Sequence, residues 1–466
     1  MTLDTLIVGA GISGLTIAWS LADTGTSLVL AESRDRVGGN ITSQQREGFC
    51  WEEGPNSFLP TPPLLELALE VGLGDELCFA DPKLPRYIYW QGRLQPVPMS
   101  PPAAIASALL SPWGKLRALI GAVGWVAPAQ SEDESVAAFF RRHLGREVAE
   151  RLVAPYVSGV YAGDPQQLSA AAAFSRVTRL ETLGGGLLAG ALLARRAAPA
   201  AAPVNPALPK PPRGSLGLCR QGLQQLPEAI AARLGDRLRY QWTLNHLEPT
   251  DQGTYQAHFH TPEGEQTVQA RSVALCLPAY TIAPLLQTWQ PVASQALAAI
   301  PYPPVACVVL AYPNQALRQP LQGFGNLIPR GQGCRVLGTI WSSSLFPDCA
   351  PPGWQLFTSF IGGATDPGVA ELTPEQLVAA VHQDLQTLIL KPEAEPRPLA
   401  VRLWPRAIPQ YNQGHRQRLA TLTAALQQQP GLFLCSNFTD SVALGDCVRR
   451  GRTTAQAVQA YLAVGD

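Results

Sequence analysis

The stretch that decides the fold is Leu3-Asp4-Thr5-Leu6-Ile7-Val8-Gly9-Ala10-Gly11-Ile12-Ser13-Gly14. Its first half is a mostly apolar run, typical of a parallel strand buried on both faces. In the turn that follows, Gly9 permits the tight bend, Gly11 lets the backbone approach a pyrophosphate, and Gly14 allows close packing of helix on strand. A helix predicted over residues 13–22 offers free N–H groups and partial positive charge to phosphates. We therefore predict dinucleotide contacts at Gly9, Ala10, Gly11, Ile12, Ser13 and Gly14.

The second predicted strand, residues 26–31, ends in an acidic residue and a glycine-rich loop. Glu32 stands about twenty residues beyond the glycine turn, where a carboxylate can accept hydrogen bonds from ribose hydroxyls. NAD and FAD proteins share this arrangement. The run that separates them is Glu32-Ser33-Arg34-Asp35-Arg36-Val37-Gly38-Gly39-Asn40, which resembles the E-x-x-x-R-x-G-G motif of the flavin amine oxidase superfamily. The resemblance favours FAD and implies cofactor contacts at Glu32, Ser33, Arg36, Gly38, Gly39 and Asn40.

Two later stretches complete the predicted cofactor site. Residues 52–57 lie where this superfamily covers the ribityl side of the flavin. In the tail, we predict a strand at 432–435, a turn, and a helix from about residue 442. The positive end of that helix can face the N1–C2=O edge of the flavin and stabilise its reduced form; a plain packing helix is the alternative. The candidate residues are Gly54, Pro55, Asn56, Ser57, Asn437, Val442, Ala443 and Leu444.

Over nearly its full length the chain resembles the oxygen-dependent protoporphyrinogen oxidase family of the plastid type. The runs particular to that family are Gly54-Pro55-Asn56-Ser57-Phe58, Pro155-Tyr156-Val157-Ser158-Gly159-Val160-Tyr161-Ala162-Gly163-Asp164-Pro165, Gly323-Phe324-Gly325-Asn326-Leu327-Ile328-Pro329 and Phe346-Pro347-Asp348. The resemblance also implies flavin contacts at Trp404 and Leu244. One departure is Cys435-Ser436-Asn437, which stands where the family has Ala-Gly-Asn.

The same resemblance implies a substrate site. Arg86 matches an arginine that pairs with a substrate propionate, and a guanidinium fork suits a carboxylate. Leu327 and Leu337 match apolar residues that sandwich a pyrrole ring, and Phe360 matches one that stacks on another ring. Gly325 matches a glycine whose carbonyl faces the substrate core, so Gly325 and Arg86 are the candidates nearest the chemistry. From the residues alone, the alternatives are that the three apolar side chains are strand core and that Arg86 is a surface arginine.

The activity implied is an FAD-dependent oxidation of protoporphyrinogen IX to protoporphyrin IX, a step of porphyrin, heme or chlorophyll biosynthesis. It comprises three hydride transfers to flavin N5, with O2 as acceptor and H2O2 as by-product. The flavin is expected to be non-covalent, because no cysteine stands where a covalent tether would. Coproporphyrinogen III oxidation, an amine oxidase, a carotene desaturase and a non-enzymatic flavin scaffold are the alternatives.

The predicted fold is α/β: a discontinuous Rossmann-like FAD-binding domain, an antiparallel-sheet substrate domain and a mostly helical lobe. Strands are predicted at 237–259, 266–277, 305–311, 335–341 and 355–360, and helices at 134–151 and 374–390. Residues 85–128 show little strand signal, and 193–214 form an Ala/Pro-rich stretch predicted to be a flexible surface loop. The predicted domain segments are 1–84, 215–280 and 406–466 for FAD, 85–214 for the helical lobe, and 281–405 for the substrate sheet.

Composition excludes several classes of partner. The formal net charge is zero, which argues against nucleic-acid binding. The nine cysteines lack metal-ligand spacing and indicate reduced thiols, and the six histidines indicate no metal. No signal peptide precedes the first strand, so we expect a cytoplasmic protein. The apolar segment 96–128 either lies on the inner face of a membrane or roofs a substrate pocket, and a homodimer is a further expectation.

Overall fold

The computed structural model describes residues 2–197 and 205–464. Two seven-stranded sheets and a group of helices within residues 101–197 make up most of the described structure. The strands, in chain order, are β1 Thr2–Val8, β2 Leu28–Ala31, β3 Ser43–Arg46, β4 Phe49–Glu52, β5 Leu77–Phe79, β6 Arg86–Trp90, β7 Arg93–Pro96, β8 Gly217–Cys219, β9 Leu238–Arg239, β10 Thr243–Pro249, β11 Tyr255–Thr261, β12 Gly264–Leu275, β13 Val305–Pro313, β14 Gly325–Leu327, β15 Val336–Trp341, β16 Trp354–Gly362, β17 Arg397–Trp404 and β18 Leu432–Leu434.

Helices fill the connections between these strands. They are α1 Ile12–Leu21, α2 Pro62–Glu70, α3 Pro101–Ala106, α4 Pro112–Ala122, α5 Val136–Leu144, α6 Arg146–Val148, α7 Ala154–Tyr161, α8 Ala170–Ala173, α9 Ser175–Gly184, α10 Leu187–Ala197, α11 Gln225–Leu234, α12 Ala279–Leu286, α13 Pro291–Ala298, α14 Ser342–Leu345, α15 Pro374–Leu388, α16 His415–Leu426 and α17 Leu444–Val464. The predicted helix at 374–390 is confirmed, and its start carries a capping box between Thr373 and Gln376.

The first sheet unites the two ends and the middle of the chain. Its order is β10-β11-β12-β1-β2-β9, with β18 paired to β12. The pairs β12–β1, β1–β2, β2–β9 and β12–β18 are parallel, whereas β10–β11–β12 is an antiparallel meander. The apolar run of β1 is covered on both faces, as a parallel strand of this kind requires. The predicted discontinuous nucleotide-binding fold is confirmed.

The second sheet has the order β17-β13-β16-β15-β14-β6-β7 and is antiparallel except between β14 and β6. The expectation of little strand in residues 85–128 was wrong, because β6 and β7 form a hairpin at the edge of this sheet. The aromatic run Tyr87-Ile88-Tyr89-Trp90 favours a strand. Gln91 and Gly92 both have positive φ, as a two-residue hairpin turn needs. The prolines at 85 and 96 stand at the strand ends, where they cost no ladder hydrogen bond.

The helical lobe runs from α3 to α10. The single helix expected at 134–151 is interrupted at Gly145, which has φ +86, and continues through α6 and a π-helical turn into α7. The stretch 193–214 was predicted to be a loop, but α10 extends to Ala197 because Ala, Leu and Arg favour helix. Farther on, Leu208 is buried in the core of the first sheet. Residues 205–214 contain no helix or strand, as predicted, and 198–204 lie outside the described residues.

None of the helices described here combines the length and the hydropathy that crossing a bilayer requires.

Candidate active site

The three glycines of the first turn differ in what surrounds them. A Cβ at Gly14 would lie 2.0 Å from the Gly9 carbonyl oxygen, and one at Gly9 would lie 2.8 Å from the Cys276 carbonyl oxygen. Apart from its chain neighbours, no described residue places a heavy atom within 4 Å of a Cβ at Gly11, which is the N-cap of α1. Gly9 and Gly14 are therefore required by packing, whereas Gly11 leaves its side of the turn open to a ligand.

Glu32 is anchored at this turn. Its buried carboxylate accepts hydrogen bonds from the Ala10 N–H at 2.8 Å and the Arg34 N–H at 3.0 Å, and the Ser33 hydroxyl lies 3.4 Å away. The return of the chain before β10 reaches the same place, since the Trp242 N–H donates to the Glu32 carbonyl at 2.8 Å. Leu244, two residues later, packs in the cluster that contains Val8 and Ala31. The chain thus brings Leu244, a predicted cofactor residue, within two residues of a backbone contact to Glu32.

The second glycine loop is joined to the first. The Gly38 N–H donates to the Ala10 carbonyl at 2.8 Å, and a Cβ at Gly39 would lie 3.4 Å from the Gly11 Cα. The guanidinium of Arg36 donates to the carbonyls of Val37, Gly39 and Ile41. Burial, together with the charges of Arg34 and Arg402, lowers the pKa of Arg36. Arg36 thus fixes the loop through its backbone while adding positive charge beside the turn.

The loop at residues 53–57 connects the two sheets. A Cβ at Gly54 would lie 1.9 Å from the Asn40 carbonyl oxygen, so these two loops touch backbone to backbone. The indole N–H of Trp404, at the end of β17, donates to the Glu53 carbonyl at 2.7 Å. Pro55, Asn56 and Ser57 are half-buried beside this contact. The end of the second sheet is thereby held against the predicted cofactor loops.

A flavin dinucleotide fits these residues. The backbone at Gly11 faces open space, the Glu32 carboxylate lies beside it, and the hydroxyl of Thr42 is buried without a hydrogen-bond partner in the described part of the chain. A buried hydroxyl normally has a hydrogen-bond partner, and a polar group of a ligand beside Thr42 would supply it. Sequence reasoning missed Thr42, since nothing in the pattern distinguishes it from other threonines near a loop.

Glu52, next to this loop, is a buried acid. Its carboxyl oxygens lie 2.8 and 2.7 Å from the Ser43 hydroxyl, and one accepts from the Leu223 N–H at 2.8 Å. Burial raises the pKa of Glu52 well above its ordinary value.

A Glu52→Gln variant should therefore gain stability over the parent as the pH rises. In the folded parent the pKa of Glu52 exceeds its unfolded value of about 4.3. The stability that the protonated Glu52 carboxyl contributes is therefore complete below that pH and is lost as the pH rises. Glutamine carries no such dependence. Urea unfolding of both proteins between pH 5 and pH 8 measures the difference, and parallel curves would contradict it.

The tail reaches the site through a turn held by three side chains. The Tyr411 hydroxyl donates to the Asn437 carbonyl, His415 Nε2 lies 2.8 Å from the Phe438 carbonyl, and buried Arg450 donates to the Ser436 carbonyl at 2.6 Å. Sequence reasoning missed Tyr411 and Arg450, because both donate to backbone carbonyls of the turn. A backbone carbonyl leaves no mark in the sequence that would identify its partner.

The helix after this turn begins later than expected. We predicted a start near residue 442, whereas α17 begins at Leu444. Val442 packs on the helical lobe instead, and a Cβ at Gly445 would lie 2.1 Å from Thr61 Oγ1. Val442, Ala443 and Leu444 thus lie where the helical lobe, the first sheet and α2 meet.

Arg86 lies beside Gly325 in the second sheet. The two are register partners of the parallel β6–β14 pair, and the guanidinium lies 5.1 Å from the centre of the Phe324 ring. Among the described residues no carboxylate forms an ion pair with Arg86. Gly325 has φ +143, and a Cβ there would lie 2.2 Å from the Thr339 carbonyl oxygen, so only glycine fits this position.

The apolar candidates lie next to this pair. Leu337, Phe360 and Trp404 belong to one cluster. Leu327 is half-buried between the second sheet and α7, where a Cβ at Gly159 would lie 2.3 Å from Leu327 Cδ2. Leu337 is almost fully buried, so its contact with a ring stays a prediction. The structure nevertheless places the predicted substrate residues on neighbouring strands of the second sheet, and Trp404, a predicted flavin contact, packs with two of them.

Known proteins resemble this chain in sequence and fold. The family model for flavin containing amine oxidoreductase matches residues 12–459. The chloroplastic protoporphyrinogen oxidase of Nicotiana tabacum is 44% identical, over 99% of this chain and 86% of its own length. The chain belongs to the protoporphyrinogen oxidase family. It is an oxidoreductase of the flavin-containing amine oxidase superfamily, with a flavin cofactor.

More distant relatives mark the limits of this likeness. Coproporphyrinogen III oxidase of Staphylococcus aureus is 28% identical, over 99% of this chain and 100% of its own. A crystal structure of an Exiguobacterium protein superimposes with a TM-score of 0.79 at 24% identity, over 99% of both chains. The second comparison supports the fold alone. Membership of the protoporphyrinogen oxidase family rests on the higher identity of the first relative.

Proposed function

We propose that this chain oxidises protoporphyrinogen IX to protoporphyrin IX in three two-electron steps, with O2 as final acceptor and one H2O2 formed in each. The observation that carries the proposal is the placement of Arg86. This cation without an acidic partner in the described chain lies in register with Gly325. Leu327 lies two residues farther along the same strand as Gly325, and Phe360 lies two strands beyond it in the same sheet. A flat apolar macrocycle with carboxylate side chains matches both features.

The roles follow from the chemistry of each group. The Arg86 guanidinium binds a propionate through its two-donor fork. Leu327, Leu337 and Phe360 hold the pyrrole rings and exclude water, and the Gly325 carbonyl faces the centre of the macrocycle. When bound, the flavin accepts the hydride, which is the chemistry the protein itself does not supply. The chain's contribution is to orient the substrate and to keep the site dry.

FAD is proposed to be non-covalent and held by the two glycine loops, Glu32, the 54–57 loop and the tail. Precipitating the purified protein with acid should release all of the flavin into the supernatant. Yellow colour retained in the pellet would instead indicate a covalent bond.

The test of function is turnover of protoporphyrinogen and coproporphyrinogen side by side, followed by porphyrin fluorescence. Protoporphyrinogen, with two propionates, should give the higher kcat/KM. The second candidate substrate carries two further carboxylates and would require additional cations. The 44% identity to a protoporphyrinogen oxidase, against 28% to a coproporphyrinogen oxidase, favours the first. Preference for coproporphyrinogen would reverse the assignment.

The helical lobe is proposed to rest on a membrane surface. Large apolar side chains of α3, α4 and the residues that flank these helices face solvent. Trp113 is 79% exposed and Trp125 is 81% exposed, and Ile105 on α3 is exposed as well. Exposed patches of this kind mark interaction surfaces, and aromatic side chains favour the membrane interface. Lys115 is the nearby cation that can face anionic lipid.

Replacing Trp113 and Trp125 by serine should reduce sedimentation with anionic phospholipid vesicles several-fold, because most of the exposed aromatic area is lost. Val292→Ser, at an exposed apolar position on α13, is the matched control and should bind vesicles as the parent does. Unchanged sedimentation combined with a raised KM would show that this segment covers the substrate instead. Loss of a dimer on size-exclusion chromatography would assign the patch to a second copy of the chain.

A further inference from the structure

Two cysteines follow the ends of neighbouring parallel strands in the first sheet. Leu275 of β12 and Leu434 of β18 are register partners, and Cys276 and Cys435 come next on each strand. The ladder continues, since the Cys435 N–H donates to the Leu275 carbonyl at 3.1 Å. Neighbouring strands lie about 4.8 Å apart, and side chains alternate between faces. The two thiols therefore lie side by side, at a Cα separation that a disulfide can span.

The pair touches the glycine turn. A Cβ at Gly14 would lie 3.3 Å from Cys276 Cβ, and one at Gly9 would lie 2.8 Å from the Cys276 carbonyl oxygen. Ser13, in the first turn of α1, interacts with the thiol of Cys435. The proposed pyrophosphate contacts at this turn are thus packed directly on the two cysteines, so a change in their bonding reaches the cofactor site.

The two thiols differ in ways that suit a reaction between them. All nine cysteines are free thiols. Cys435 is fully buried, whereas Cys276 is partly exposed. The Cys276 thiol lowers the pKa of Cys435, against the effect of burial and with support from Arg450. A thiolate is the nucleophilic form of cysteine.

We propose that Cys276 and Cys435 form a peroxide-sensitive thiol pair whose disulfide weakens flavin binding. The partly exposed Cys276 sulfur attacks one peroxide oxygen, the O–O bond breaks, and the departing hydroxide takes the thiol proton to become water. The Cys435 sulfur then attacks the resulting sulfenic acid; the S–S bond forms, the S–O bond breaks, and the departing hydroxide takes a proton and leaves as a second water. Two thiols are oxidised and one H2O2 is reduced to two waters.

The proposed turnover would supply peroxide at the site, which would make the pair a brake on the enzyme's own activity. The inference itself does not depend on the substrate, because peroxide can be added to resting protein.

The test uses the purified flavoprotein, treated with H2O2 in the absence of any porphyrinogen. Peptide mass spectrometry should find a link between Cys276 and Cys435 that dithiothreitol reverses. Flavin fluorescence should rise as cofactor is released, with a dissociation constant about tenfold higher, which corresponds to a loss of about 1.4 kcal/mol of binding free energy. Dithiothreitol should restore the original affinity.

Three variants separate the pair from general oxidation. Cys276→Ala and Cys435→Ala should each keep their flavin in peroxide. The double variant Cys50→Ala with Cys349→Ala removes another close pair of buried thiols and should release flavin as the parent does. A link at Cys50–Cys349 instead, oxygen addition without any link, or a link that leaves flavin affinity unchanged would each overturn the proposal. Because flavin retention is measured directly, these outcomes are independent of which substrate the enzyme oxidises.

Discussion

Gly14→Ala is expected to yield a chain that is destabilised and retains no flavin. The added methyl group would lie 2.0 Å from the Gly9 carbonyl oxygen, far inside contact distance, so α1 must move away from β1. Overpacking of this kind costs about 3 kcal/mol, a large part of the total stability of an ordinary domain. Urea unfolding of the flavin-free protein, with flavin content measured by absorbance, tests both effects.

Gly11→Ala provides the matched control at the same turn. In the described part of the chain, only the neighbours of Gly11 in sequence lie close to a Cβ at this position. The flavin-free variant should therefore unfold within about 1 kcal/mol of the parent, the cost of a weaker N-cap. Its flavin affinity should nevertheless fall steeply, because the methyl group occupies the space that the cofactor phosphates need. Normal flavin binding by this variant would place the dinucleotide elsewhere.

Arg86→Ala is expected to raise the KM for protoporphyrinogen about 30-fold with little change in kcat. Loss of a charge-assisted, two-donor hydrogen bond to a propionate costs about 2 kcal/mol, which corresponds to that factor. The effect falls on binding because a propionate lies remote from the carbon that loses the hydride. Steady-state kinetics by porphyrin fluorescence provides the measurement.

Two variants show whether the guanidinium itself is responsible. Arg86→Lys keeps the charge but loses the fork, so its KM should lie between those of the parent and the alanine variant. Arg93→Ala removes an exposed arginine from the other strand of the same hairpin and should leave KM unchanged. An equal rise in KM on replacing Arg86 or Arg93 by alanine would show that Arg86 acts only as a surface charge.

Local sequence signals sufficed where a single segment carries the constraint. The glycine turn, Glu32 and the Gly38-Gly39 loop were predicted because each needs a particular backbone conformation or charge at a fixed spacing. The β6–β7 hairpin was missed since two prolines masked an aromatic strand whose partner, β14, lies more than two hundred residues away. The start of α17 was also placed too early because of a contact between residues far apart in sequence. Gly445 contacts Thr61, and this contact is not visible in the sequence. The division into five domain segments stays a prediction.

Thr42, Tyr411 and Arg450 show why part of the site was inaccessible to sequence reasoning. Each acts through a backbone group or an unsatisfied hydroxyl that only the folded chain brings into place. Residue type and spacing carry no record of such partners. The candidate substrate residues were named through resemblance to a family, and the sheet then showed that Arg86, Gly325 and Leu327 are neighbours.

The placement of β18 beside β12, in a sheet that β1 begins, has a consequence for synthesis on the ribosome. The second sheet and the helical lobe emerge complete while the nucleotide-binding sheet still lacks its last strand and helix. Long-range pairing of this kind slows folding and leaves strand edges open to wrong partners. A nascent chain halted before residue 432 would therefore expose an unfinished parallel edge, which makes such fragments natural clients of chaperones and proteases.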